Sequence, residues 1–179
     1  MADVMSRRAG RTGSRYARVA QIPGEPAYVE GLATRTGGCV IELTTALLCD
    51  HAQVRDGLLF VLSGGVSRVM RDSFPAAMGT CLALVLELDR IEAERAHQLE
   101  IVVVGEDGED VARMEAEVSV ESTSAAKPAE AIQMPFAVDL RAAGIGKPGA
   151  YEIRVYVDGQ HQRTLQFWAE LVGEGTVLL

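Results

Sequence analysis

Cys49-Asp50-His51 sets a thiol, a carboxylate and an imidazole within three consecutive residues. Such groups are ligands for a borderline-soft ion such as zinc, and Cys49 and His51 share a face if the chain there is extended. A usual zinc site also needs a second cluster of paired ligands, and Cys39 and Cys81 each stand alone. The simpler expectation is a buried cysteine closing a strand, with Asp50 ordering the next turn through its own backbone. A cysteine nucleophile would need a base within hydrogen-bond reach, and nothing in the spacing brings His51, His97 or His161 to a particular thiol. There is no Gly-x-Ser-x-Gly elbow, and no Gly-x-Gly-x-x-Gly followed by a helix. Gly144-Ile145-Gly146-Lys147 resembles part of a phosphate loop but lacks the leading glycine and the hydroxyl residue after the lysine. Glu106-Asp107-Gly108-Glu109-Asp110 gathers four carboxylates, a set of oxygens that calcium favours. A tight hairpin points neighbouring carboxylates apart, so a solvated turn is expected there. No catalytic residue, metal or cofactor is assigned, and the chain is expected not to be an enzyme.

Two features speak instead of contact. Residues 1–20 carry Arg7, Arg8, Arg11, Arg15 and Arg18 against Asp3 alone, a net +4, while the whole chain carries −8. A basic arm on an acidic body can hold phosphates in a salt-sensitive, sequence-blind manner. The acidic body would repel a polyanion, so the arm reads first as a solvated tail and nucleic acid is disfavoured. Ser6-Arg7-Arg8 is similar to a twin-arginine signal, but glycines and arginines interrupt the apolar stretch that should follow. The second feature is Trp168. Alternation places Phe167 in the core and Trp168 outward with Thr164 and Gln166, where a tryptophan is available to a partner. The tail after Gly173 ends Val177-Leu178-Leu179, apolar enough to dock on a neighbouring subunit.

The elements that position these residues follow from composition and period. With 179 residues, 48% apolar and 23% charged, the chain suits one soluble globular core. Its apolar runs are too short for a membrane helix, and three cysteines argue for a reducing compartment, so the expected location is cytoplasmic. Residues 1–37, dotted with Gly and Pro up to Gly37-Gly38, read as a flexible basic arm. Residues 38–173 form the domain and 174–179 the tail.

From Cys39 onward short apolar segments alternate with turn residues, the all-β signal. Strands are expected at 39–49, 57–62, 66–70, 79–88, 98–104, 110–121, 131–140, 150–157 and 161–171. Ser63-Gly64-Gly65 marks a bulge or a corner where the chain changes sheets. Leu82, Leu84, Leu86 and Leu88 share one face, and Cys81, Ala83 and Val85 the other, so both sides are covered. Asp107-Gly108 and Asp158-Gly159 predict hairpins. In 114–121 Met114, Ala116, Val118 and Val120 face one way, while Glu115, Glu117, Ser119 and Glu121 face water. Residues 87–97 have the composition of a short helix. About eight strands joined mostly by hairpins give a two-sheet antiparallel β-sandwich, immunoglobulin-like. Pro148-Gly149-Ala150-Tyr151 matches the tyrosine corner of such domains.

Leu47-Leu48-Cys49-Asp50-His51-Ala52-Gln53-Val54-Arg55-Asp56-Gly57-Leu58 resembles the opening of an uncharacterised bacterial domain family. Ser63-Gly64-Gly65, Phe74-Pro75, His97, Asp107-Gly108 and Pro148-Gly149-x-Tyr151 follow in the order of that family. The resemblance covers roughly residues 40–171 and leaves residues 1–37 outside. His51 stands where an aromatic residue is more usual. It implies a small β-sandwich of unknown function with no catalytic residues to carry over.

The leading expectation is a β-sandwich module that works by protein–protein contact, self-association included. Its contact residues are expected among Trp168, Gln166, Thr164, Arg7, Arg8 and Arg11. Two alternatives stand beside it: a small-ligand or metal-binding sandwich using Cys49–His51, and a domain tethered to nucleic acid or an anionic membrane by its arm.

Overall fold

A computed structural model describes residues 41–89, 92, 95–119 and 131–173. The arm with Arg7, Arg8 and Arg11, together with Cys39 and the apolar tail, lies outside them. The described residues form eleven strands: β1 Ile41–Arg55, β2 Leu58–Gly64, β3 Arg68–Arg71, β4 Ala76–Ala77, β5 Cys81–Leu88, β6 His97–Gly105, β7 Asp110–Val118, β8 Ile132–Asp139, β9 Gly144–Ile145, β10 Gly149–Val157 and β11 Gln160–Leu171. They build one sheet of order β2-β1-β5-β8, one of order β3-β11-β10-β6-β7, and a small ribbon of β4 and β9. This is the expected all-β sandwich.

The core forms where the inner faces meet. Leu43 and Leu48 from β1, Leu82, Leu84, Leu86 and Leu88 from β5, and Val138 from β8 pack in one cluster with residues of the five-stranded sheet. The latter supplies Leu99, Ile101 and Val103 from β6, Tyr151, Ile153, Val155 and Val157 from β10, and Phe167 and Ala169 from β11. Period-two alternation puts the β5, β6, β10 and β11 sets each on one side of its strand, the bulge between Leu43 and Thr45 brings Leu43 and Leu48 of β1 to the same cluster, and burial of this apolar area is the main stabilising term.

Both expected hairpins form. Gly108 takes φ 82°, and Asp158 and Gly159 take φ 50° and 75°, the left-handed backbone that favours glycine and aspartate in two-residue turns. The sheet change at Ser63-Gly64-Gly65 also stands. β2 belongs to one sheet and β3 to the other, with Ser63 at φ 52°, Gly65 at φ 90°, and the N–H groups of Gly65 and Val66 both donating to Leu48 O. The tyrosine corner is present, with the Tyr151 hydroxyl donating to Lys147 O at 2.7 Å.

Several expectations are corrected. β1 does not end at Cys49 but runs on to Arg55, so Asp50 and His51 lie within a strand and order no turn. The turn sits instead at Asp56-Gly57, with φ 52° and 75°. The sheets are not wholly antiparallel, because β3 pairs with β11 in parallel, Arg68 opposite Trp168. Leu171, which alternation from Phe167 would turn inward, is exposed. Between β5 and β6 the Glu92 N–H donates to Asp89 Oδ1 and the Arg95 N–H to Glu92 O, a capped turn. The remainder of the expected helix there lies outside the described residues.

The outer face of the five-stranded sheet is a charged carpet over apolar backing. Val102 is buried on that face, with Arg154 opposite it on β10 and Arg113 on β7. Arg154 binds Glu152 at 2.8 Å, and Arg113 binds Glu100 and Asp110. Arginine stems flank the valine while their guanidinium groups stay wet.

Candidate interaction surface

The Cys49 segment cannot act as a reactive site in this geometry. Cys49 is fully buried on the face of β1 turned from the main core, directly opposite Cys81. It packs there in a small cluster with Ala52, Cys81 and Ala83. Its Sγ donates to Cys81 O at 3.3 Å. Burial, and then the neighbouring Cys81, push the thiol above its ordinary pKa, so it stays protonated and weakly nucleophilic. His51 is exposed two residues on. Among the described residues no group of three or more His, Cys, Asp or Glu is placed to hold a metal ion.

The acidic hairpin tip meets cations of the chain itself. Asp107 binds Lys147 at 2.9 Å and Asp110 binds Arg113 at 2.7 Å. Lys147 is thereby engaged as well, and Ile145 beside it is wholly buried in β9, so Gly144–Lys147 is no phosphate cradle.

Asp139, at the end of β8, accepts from the Arg141 guanidinium at 2.6 and 2.9 Å and from the Arg141 N–H at 2.9 Å. The side-chain bonds chiefly, then the backbone donor, hold its carboxyl down at about 2 from 3.8. A depressed folded pKa contributes stability that is present above 3.8 and lost as pH falls toward 2. Asp139→Asn is therefore expected to flatten the fall of the melting temperature within that acid window and to leave it unaltered in slope near neutrality. Thermal melts across an acid series check this.

Trp168 stands outward as expected, 53% exposed, with Arg68 on one side and Ala150 on the other. Thr164 and Gln166 are exposed on the same face but engaged within the sheet, Thr164 Oγ1 with His161 Nε2 at 2.8 Å and Gln166 with Glu152 at 3.4 Å. Trp168 thus projects from a lattice of satisfied polar groups.

A larger apolar surface lies elsewhere. β2 is the edge strand of its sheet, and Leu58, Phe60, Val61 and Leu62 are all exposed, Leu58 and Leu62 by 63% and 64%. Only β1, through residues 49–55, pairs with it. Its other side presents backbone N–H and C=O groups without a neighbouring strand among the described residues. Natural edges are commonly blunted by lysine, proline or a bulge, and Leu58–Gly64 contains no charged residue and no proline. The sequence places a strand at 57–62 but does not reveal its exposure. Its signal was the uncharged run Leu58-Leu59-Phe60-Val61-Leu62, which reads as a strand buried on both faces.

Residues 44–170 match a family of unknown function, DUF6941. The chain belongs to that family. No curated protein matches it. The DUF6941 match runs from within β1 to the penultimate residue of β11, so it takes in both sheets and the β2 edge. Among the described residues of this DUF6941 chain, no helix is long and apolar enough to cross a membrane.

Proposed function

We propose that the chain is a non-enzymatic β-sandwich module that acts through protein–protein contact, with the β2 edge as its principal contact surface. The observation that carries this reading is the exposure of four large apolar side chains within five residues of one edge strand. Such an edge receives an extended strand, main-chain hydrogen bonds giving affinity and alternate side chains giving fit. Exposed apolar area of this kind is costly to leave in water and marks interaction sites. The buried, protonated Cys49 thiol and the engaged carboxylates support a role without chemistry.

The test is a photo-reactive phenylalanine analogue at position 60, compared with the same analogue at the exposed Glu117 of β7. Irradiation in the native cell is expected to give one discrete adduct from position 60 and none from position 117. No adduct from position 60, or the same smear from both, would remove the reading.

A further inference from the structure

We infer that the strand seated on the β2 edge is β2 of a second copy, running antiparallel about a two-fold axis; this rests on the contact reading above. The argument begins with charge. The chain has 25 acidic residues and a net charge of −8, so two copies repel over most of their surface. Residues 58–71, which comprise β2, the sheet change and β3, contain no carboxylate, and their only charges are Arg68 and Arg71. This is where one copy can approach another without setting acid against acid.

Geometry then supplies the register. Full overlap of two seven-residue strands puts Val61 opposite Val61 of the second copy, Phe60 opposite Leu62, and Leu58 opposite Gly64. Facing residues have the same parity, so the exposed stripe of Leu58, Phe60 and Leu62 continues onto its own image. The Asp56 carboxylate of each copy is carried toward the acid-free connection that leads to Arg68 of the other. An interface of this kind is isologous, and the patch complements itself. A different partner would find no charged side chain on β2 to select it, whereas a second copy brings the same uncharged stripe in the same spacing. The two four-stranded sheets become one continuous sheet of eight.

Light scattering of the full chain is expected to report twice the chain mass at high concentration and one chain mass on dilution. Phe60→Lys with Leu62→Lys sets cations against cations across the axis and is expected to weaken association about 30-fold or more, as loss of a central apolar anchor does. Both side chains are exposed, so far-ultraviolet circular dichroism and the melting temperature should stay near wild type. In a Cys39→Ser background Val61→Cys is expected to form an intermolecular disulfide on mild oxidation, because facing Cβ atoms lie about 4.5–5.5 Å apart. Leu58→Cys, more exposed, should not.

A chain that stays monomeric from micromolar to millimolar concentration overturns the inference. So does a dimer that survives the double lysine variant and gives no Val61→Cys link. The photo-adduct at position 60 separates the two readings. An adduct of twice the chain mass supports both, one of another mass keeps the contact surface but overturns self-pairing, and no adduct removes both.

Discussion

Phe167→Ala is expected to destabilise the fold by about 3–5 kcal/mol, whereas Trp168→Ala one residue on changes stability by no more than about 0.5 kcal/mol. Phe167 is 1% exposed, at the centre of the main cluster, and its ring stacks on Tyr151 with centroids 5.4 Å apart. Truncation removes that apolar area and leaves a cavity that the leucines of β5 and the valines of β10 cannot fill without leaving their rotamers. The loss is a large share of the roughly 5–15 kcal/mol that holds a domain of this size together. Trp168 has water on much of its surface, so its removal costs the fold little. Urea melts of the two variants measure the contrast, and similar midpoints would mean that the two faces of β11 have been assigned the wrong way round.

The second large effect concerns His97, buried where β6 begins. Its Nδ1 lies 2.7 Å from Asp158 Oδ2 and its Nε2 lies 2.8 Å from Glu92 O, with Glu92 Oε2 at 3.7 Å. Both ring nitrogens face acceptors, and only the imidazolium donates from both. Burial works against the charge. The Asp158 hydrogen bond, the Glu92 carbonyl and the charges of both carboxylates outweigh it, so the pKa is raised from 6.5. Arg95, bound to Glu92 at 3.2 Å, completes the group. The ring ties the β10–β11 turn to the start of β6, where Asp158 also accepts from the Gln98 N–H. His97→Ala takes the ring donor from Asp158 Oδ2 and leaves the Glu92 carbonyl with only the Arg95 N–H, and it is expected to cost about 1–3 kcal/mol at mildly acid pH. The sign of the pH effect follows from the raised pKa. The charged ring's contribution is complete below about pH 6.5 and is lost as pH rises through the higher folded value. The gap in stability between wild type and variant should therefore narrow with rising pH. A gap that stays constant from mildly acid to alkaline pH would show that His97 is neutral throughout.

The elements that local chemistry determines were legible in the amino-acid order. Asp107-Gly108 and Asp158-Gly159 are turns because each pair stands between apolar runs and supplies the left-handed backbone that Gly108, Asp158 and Gly159 take. β5, β10 and most of β11 followed from alternation. The same turn signal stands at Asp56-Gly57, and the strand expected to end at Cys49 runs about six residues further to reach it. The parallel pairing of β3 with β11 carries no local signal, because its partners are about 100 positions apart, Arg68 opposite Trp168. The contact surface was half legible. An outward Trp168 follows from period two. The β2 edge does not, because five consecutive apolar residues look alike whether a second strand covers them or water does. The His97 clamp was hidden for a similar reason, since Asp158 reads as a turn residue and its second task depends on where that turn arrives.

That distant pairing bears on how the protein is made. β3 is synthesised about 100 residues ahead of β11, the strand it must lie beside, since Arg68 pairs with Trp168. At about 5–20 residues per second the gap is roughly 5–20 s. Through that interval the neighbouring run Leu58–Leu62 is in place while its fold is unfinished, a sticky ribbon on a nascent chain. A truncated product that stops before Gln160 keeps the ribbon and lacks the strand that anchors β3, and such fragments should aggregate where the full chain does not.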